Sequence, residues 1–485
     1  MSLKKLHALC AGILAFALTP AAPGAPARAP TPQDFASLPK SQRAMIEDLE
    51  RRTFDWFWDS ADPKNGLVPD HYPGESFSSI AAVGFGLTAY GIGAERGYVT
   101  RAQAAERTLA TLRFFRDAPQ NGSEDDATGF HGFYYHFLDM KTGRRFGRFV
   151  ELSSVDTTLL LGGVLFAQSY YDRDTPQERE IRRLADELYR AADWTWMQAR
   201  PPLISMGWTP GGQFIRDDWR GYCEGMLVYV LALGSPTHPV APEAWKAWSA
   251  TNDKTWGTFY GETFLTFAPL FGHQYSQAWI DFRGIRDDWA RAHGIDFFEN
   301  SRRATYSQRN YAIANPGKWT GYGANVWGLT ASNGPGGIVV KGPQGEREFK
   351  GYSARGAGLD YVEDDGTIAP TAAGGSIAFA PEIVVPALME MKRRYGRDIY
   401  NRYGFVDAFN PSFHTRTDLR TGKLVPMGWA DTVQLGIDQG PILLMIENWR
   451  SGLVWKVMGK NPYIREGLRR AGFAGGWLDE AAPAP

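Results

Sequence analysis

Apolar and polar positions alternate along this chain on the scale of whole helices. Met45, Leu49, Thr53 and Trp56/Phe57 recur at helical spacing and predict a first helix over about 34–59, ended by Asp62-Pro63-Lys64-Asn65-Gly66. Ser78-Ser79 then caps a run, 80–94, that is apolar on every side and stops at Gly97. Thr100-Arg101-Ala102-Gln103 reads as a capping box for an amphipathic helix with Ala105, Leu109 and Leu112 on one face. The pair then repeats. Ser153-Ser154 heads an apolar helix to about Tyr171, and Thr175-Pro176-Gln177-Glu178 reads as a second capping box, with proline at the first helical position. That partner carries Ile181, Leu184, Leu188 and Ala192. Further apolar helices are expected near Cys223, near Tyr260 (with Phe264, Leu265, Phe267 and Leu270), near Pro381 and near Gln439. Pro386 should kink the helix that holds it, and Gly452 and Asn461-Pro462 punctuate the last hairpin.

A helix apolar all round must be interior. About six of them, most followed by an amphipathic partner, predict an all-α fold: an (α/α)6 toroid of six inner and six outer helices over 44–472. The stretch 319–377 breaks the pattern. It is rich in Gly, Asn, Pro and Ser, with short β-like pieces at 337–340 and 346–352. An insertion this long is usually functional, and in a toroid it would drape over one rim.

Composition narrows the function classes. Lys+Arg 52 against Asp+Glu 53 gives no electrostatic case for nucleic acid or an acidic membrane. An aromatic content of 14% suits either a large core or stacking on sugar rings. Lys4, Lys5, the apolar run 9–18 and Ala25-Pro26-Ala27 form a signal-peptide pattern too short to span a bilayer. The expected layout is a signal peptide at 1–27, a leader at 28–43 and a tail at 473–485, with export to the periplasm or medium. Cys10 lies inside the signal, so only Cys223 remains after cleavage and no disulfide is expected. Nothing in the pattern suggests an obligate oligomer, so a monomer is expected.

Acids gather at the heads of the apolar runs. Glu151 and Asp156 flank the start of one, Glu224 precedes another and Asp438 opens the last. A carboxyl at the edge of an apolar site has a raised pKa, as a general acid needs. The plainer alternatives are helix capping for Asp156 and Asp438, and an ion pair with Arg220 for Glu224. Glu447, nine residues after Asp438, is either a site acid or the partner of Arg450. Aromatic-polar loops at 130–136, 207–209 and 323–328 offer His131, Tyr135, Trp208 and Trp327 as sugar-positioning groups, with loop anchoring as the alternative. His131 and His136 are poorly spaced for a metal, and no cofactor is expected. Gly84-Phe85-Gly86-Leu87-Thr88-Ala89 fits a dinucleotide fingerprint only nominally, since it lies inside an apolar helix.

Several of these motifs, in order, resemble a known family. Glu151-Leu152-Ser153-Ser154-Val155-Asp156-Thr157, Tyr222-Cys223-Glu224-Gly225, Asp407-Ala408-Phe409-Asn410-Pro411, Gly436-Ile437-Asp438-Gln439-Gly440-Pro441 and Met445-Ile446-Glu447-Asn448 look like the glucoamylase-like domain. That domain includes glycoside hydrolase family 144, the bacterial β-1,2-glucanases, and is similar to the transglycosylase domain of cyclic β-1,2-glucan synthases. The resemblance covers roughly 44–472. It implies an (α/α)6 barrel, action on β-1,2-linked glucan with inversion, and no required metal. It also implies Glu151 and Glu224 as the acidic pair at the cleft, with Asp438 on the last inner helix. Arg144 and Arg148 stand where the family pattern would place further acids. Glu224 is the expected acid and Glu151 the expected base, with Asp156 and Asp438 as substitutes and Arg220 and Glu447 among the substrate-binding groups. The competing readings are a non-catalytic glucan-binding protein and a transglycosylase or lyase on the same fold.

Overall fold

The computed structural model describes residues 34–342, 345–417 and 419–480. Six helices form the inner ring, in chain order Ile80–Glu95, Ser154–Tyr170, Gly225–Gly234, Phe271–Trp279, Pro370–Gly374 and Gly436–Arg450. They are called here the first to sixth inner helices. The outer helices are Lys40–Ser60, Arg101–Asp117, Pro176–Ala191, Phe297–Ala314, Pro381–Ile399 and Pro462–Arg470. The chain is thus the (α/α)6 toroid its hydrophobic pattern predicts. The inner helices are buried on all sides: Leu160, Leu161, Val164, Leu165 and Phe166 of the second are 0–1% exposed. Each such side chain is worth about 1.5–3 kcal/mol on burial, so the ring carries much of the fold's stability.

Glycine sets the closest approach inside the ring. A Cβ on Gly84 would lie 2.1 Å from the carbonyl oxygen of Leu159, and one on Gly163 would lie 2.1 Å from that of Gly84. The first two inner helices therefore meet backbone to backbone. The glycines that mimic a nucleotide fingerprint are packing residues. Gly234 and Gly467 repeat the device where the third inner helix crosses Pro462–Arg470.

Capping holds where the sequence places it. Ser79 and Ser153 cap the first two inner helices, and Thr100 and Gln103 form the reciprocal box. Thr175 accepts from the Glu178 amide, but Glu178 turns to Arg101 at 2.8 Å, so only half of that box forms. Three expected elements are corrected. The first helix begins at Lys40, because Pro39 cannot continue it backwards, and a single 3-10 turn, Phe35–Ser37, precedes it. The run near Tyr260 is a hairpin, Trp256–Phe259 with Glu262–Leu265, and the inner helix starts only at Phe271. Its β-branched and aromatic residues suit a strand as well as a helix. The helix opened by Pro381 is an outer one, and the short Pro370–Gly374 helix takes the fifth inner place.

All six inner helices start at one rim. The other end is plugged by Leu453–Met458, where the Trp455 indole donates to the Gln277 carbonyl at 2.7 Å and the Asn448 amide to that of Ala278 at 2.9 Å. Packing extends beyond 44–472 at both ends: Phe35 stacks edge-on to Trp449, and Phe473 and Leu478 are 3% and 1% exposed. The expected signal peptide, residues 28–33 of the expected leader and the last five residues lie outside the described residues.

Two features shape the rim. A five-stranded antiparallel sheet joins Gly129–Phe130, Phe133–Tyr135, Leu152–Ser153, Gly207–Thr209 and Gln213–Phe214, and fixes the approach to the second inner helix. The insertion contributes the hairpin Ile338–Gly342 with Gly345–Phe349. It is anchored by Arg355, 0% exposed, which grips Asp365 through Nε at 2.7 Å and Nη2 at 2.8 Å. No helix among the described residues is long and apolar enough to cross a membrane.

Candidate active site

The rim gathers carboxyls from three of the six helix mouths, the second, third and sixth. His136, between two short strands, is their hub. Its Nδ1 lies 2.8 Å from Glu151 Oε1 and its Nε2 3.4 Å from Asp156 Oδ1. Ser153 Oγ donates to Asp156 Oδ2 at 2.6 Å while accepting from the Asp156 amide at 3.2 Å. Burial works against charge on His136, but Asp156 and the Glu151 hydrogen bond push its pKa up to about 9. The reverse holds for Glu151: burial would raise it, yet bonding to His136 leaves it below the usual carboxylate range. Asp156, 4% exposed, is raised because burial outweighs the attraction of His136. Among the described residues this trio is the one group of metal-ligating types whose donor atoms lie within 4.8 Å of one another. Each ring nitrogen faces a carboxylate oxygen, an arrangement that a doubly protonated imidazole satisfies fully.

Glu224 stands at the mouth of the third inner helix. Burial pushes its pKa up to about 7, and its Oε2 has no hydrogen-bond partner. Asp438, in the first turn of the sixth inner helix, is 3% exposed, is likewise pushed to about 7 by burial, and leaves Oδ2 unpartnered. It faces Asp407, 2% exposed, whose pKa burial and the charges of Asp438 and Asp431 raise well above normal. Asn333 ties these acids to the insertion, its amide N–H donating to Asp407 at 2.7 Å and its side chain to Asp431 at 2.8 Å. At the centre is Tyr275 of the fourth inner helix, whose phenol feels the charges of Asp438, Glu224 and Asp156.

A cleft of about 620 Å³ opens along the first and sixth mouths, lined by Asp70, Ser79, His136, Asn333, Tyr352 and Asp431 among others. Glu151, Asp156, Glu224 and Asp438 stand behind that lining rather than in it, with His136 as the group of the acid cluster that reaches the cleft. Exposed aromatic rings border the rim: Phe149 is 83% exposed and Tyr352 62%. Tyr361, on the insertion, feels the charge of Glu224.

Of the sequence candidates, Glu151, Asp156, Glu224 and Asp438 all reach the rim. Arg220 is exposed and forms no ion pair with Glu224 among the described residues. Five others are corrected. Glu447 lies about 13 Å down its helix from Asp438, fully buried and paired with Arg96 at 2.6 Å. Tyr135 and Trp327 are 0% exposed and serve the core. Trp208 retains 6% exposure, packed at 5.3 Å from Phe130 and 5.9 Å from Trp196. His131 stacks on Trp196 at 4.3 Å and faces a separate cavity between Arg101–Asp117 and Pro176–Ala191. For Tyr135, Trp208 and Trp327 the loop-anchoring alternative won, because an aromatic ring loses more by exposure than a loop gains by presenting it, while Arg450, the expected partner of Glu447, pairs with Glu50 instead. Sequence reasoning missed His136, Tyr275 and Asp407 as site residues. His136 was weighed only as a metal ligand, and nothing local marks Tyr275 inside an apolar helix.

Comparison with known proteins agrees with this fold. Residues 216–462 match the Glycoamylase family model, described as "Putative glucoamylase". A solved structure from Bacteroides uniformis, described as a "putative glucoamylase", is 33% identical, with 91% of this chain and 100% of that chain covered at a TM-score of 0.77. The endo-β-1,2-glucanase of Chitinophaga pinensis is 28% identical, with 90% and 100% covered and a TM-score of 0.76. The exo β-1,2-glucooligosaccharide sophorohydrolase of Parabacteroides distasonis is 27% identical over 465 residues, and the chain spans 58% of that protein's length. With a family model matched over half its length and a one-third-identical relative covered from end to end, this chain belongs to the glycoamylase family.

Proposed function

We propose that this protein is an exported glycoside hydrolase that cleaves β-1,2-linked glucan or its oligosaccharides with inversion. The observation that carries this reading is the opposite treatment of two acids at one rim. Glu224, kept protonated near neutrality by burial, is the general acid; Glu151, kept ionised by His136, is the base. In the reaction Glu151 takes a proton from water, directly or through a sugar hydroxyl. The water oxygen bonds to the anomeric carbon from one face. The bond from that carbon to the bridging oxygen breaks on the other, and Glu224 protonates the departing oxygen. Inversion requires the two carboxyls to stand about 6.5–9.5 Å apart, against about 5–5.5 Å for retention. Asp438, raised to about 7 and facing Asp407, is the substitute acid, and Asp156 the substitute base. The linkage is inferred from relatives named for β-1,2-glucan at 27–28% identity. Export rests on the N-terminal signal pattern; N-terminal sequencing of the mature protein should begin near residue 28.

The test is incubation with linear β-1,2-glucan, the anomeric signals followed by NMR. Oligosaccharides appearing first as α-anomers support the reading, and their length separates endo from exo action. β-Anomers would point to retention, and an unsaturated ring or lengthened or cyclised products to a lyase or transglycosylase. Tight binding with no product over days would favour a glucan-binding protein.

A further inference from the structure

We propose that His136 is a positioning residue of this reaction: a permanent imidazolium clamp, held between Glu151 and Asp156, that fixes the orientation of Glu151 and keeps it anionic. The inference rests on the reading of Glu151 as base, but its first test does not depend on it.

Three observations carry it. The first is bonding geometry. Both ring nitrogens meet carboxylate oxygens, Nδ1 at 2.8 Å and Nε2 at 3.4 Å. A neutral ring would turn a lone pair on one of them, which is repulsive; the charged ring donates a hydrogen bond to Glu151 and attracts Asp156 at ion-pair distance. The second is backbone placement. The His136 N–H donates to the Glu151 carbonyl at 2.9 Å, and its own carbonyl accepts from the Ile80 amide at 3.3 Å. The residue is thus tied both to the segment that carries Glu151 and to the mouth of the first inner helix. Its ring also lies against Phe137, 3.8 Å between centroids, so it cannot swing away freely. The third is that among the described residues Glu151 has no other ion-pair partner. Arg145 bears on Glu151 only at a distance, because its guanidinium is spent on the carbonyls of Val150 at 2.6 Å and Arg148 at 2.5 Å.

The charged groups around the ring are Glu151 from the sheet, Asp156 from the second inner helix and Asp70 from the segment before the first, with Arg145 behind Glu151. All three that act on His136 directly are acids and favour its charge. Asp156 has a distinct part: anchored by Ser153, it holds the far side of the ring so that Nδ1 stays aimed at Glu151.

Two measurements test the clamp. In the substrate-free protein, selectively labelled histidine NMR should show the His136 imidazole, assigned by its loss in H136Q, protonated on both nitrogens past pH 8. Titration near the ordinary value of about 6.5 overturns the proposal whatever the enzyme's substrate proves to be. In the active enzyme, the acid limb of kcat/KM, which reports Glu151, should move up by about one pH unit or more in H136Q. The loss approaches tenfold below the wild-type limb and fades towards pH 8, in kcat rather than KM. H136K, which restores the charge, should bring the limb back towards the wild-type position. A limb that stays in place in H136Q, or a loss equal at every pH, would mean that His136 is merely structural. If wild-type protein hydrolyses no glucan while His136 stays charged past pH 8, the catalytic reading fails and the clamp stands.

Discussion

Asp438 and Glu447 lie on the same helix, nine residues apart, both nearly fully buried. At the rim, Asp438 has a second carboxyl, Asp407, as its neighbour and no arginine among the ion pairs of the described residues. At the far end, Glu447 also faces a second carboxyl, Glu50, but two arginines are built into that pair: Arg96 lies 2.6 Å from Glu447, and Arg450 bonds Glu50. Burial and Glu447 still push Glu50 to about 8, so the far-end pair holds less than its full negative charge against two cations. The difference separates two uses of a buried acid. A carboxyl with an arginine beside it is tied into the fold, and removing one partner is costly. A carboxyl without one, at an open helix mouth, is not committed to a cation of the fold and is left for substrate. Glu224, which has no arginine among the ion pairs of the described residues, belongs with the rim.

The largest expected effect is at the rim. Glu224→Gln should lower kcat by about 10²–10⁴-fold with the fold intact, as loss of a general acid requires; steady-state kinetics beside a circular-dichroism spectrum checks both. Near-wild-type turnover would place Glu224 with the structural acids. Arg450→Ala makes the opposite pattern at the far end. It strips buried Glu50 of the guanidinium bonded to it, Arg96 remaining for Glu447, and should cost about 1–3 kcal/mol, read from the denaturant midpoint, with kcat of the folded protein unchanged.

The third prediction uses pH. Glu224 has its folded pKa raised, so its contribution to stability is whole below about 4.5 and is lost as pH rises through about 7. Glu224→Gln should therefore be more stable than wild type at pH 8, by about 1–3 kcal/mol, and indistinguishable at pH 4. Inactivation and stabilisation by one substitution would mark the site as strained for function. His136 is also raised: its contribution is full below about 6.5 and lost as pH rises through about 9, a slope absent in H136Q. The smallest effect belongs to a displaced candidate. Tyr135→Phe removes only a 3.4 Å hydrogen bond to the Ser123 carbonyl and should cost less than about 1 kcal/mol, with activity unchanged. A large rise in KM there would return Tyr135 to the substrate.

How much of this was legible in advance depended on whether the deciding interaction was local. Helices apolar on every face have one place to go, so the toroid, its Ser79, Thr100 and Ser153 caps, and the insertion could be read from residues a few positions apart. The acids that head those helices could be read too, because a carboxyl at the polar end of a buried run must lie at an opening. The strand for helix error near Tyr260 came where short apolar runs fit both periods. What the chain could not disclose was which aromatic loops face in, since Tyr135, Trp208 and Trp327 differ from true platforms only in what packs on them. Nor could it disclose partnership at long range. Glu447 meets Arg96 across 351 positions, Asn333 joins Asp407 across 74, and His136 finds Glu151 only because the sheet folds one strand beside the other. Residue type and spacing determined the rings and the rim; charge on each carboxyl was decided by neighbours that only the tertiary structure supplies, because the energy of a buried charge depends on what lies within a few ångströms of it.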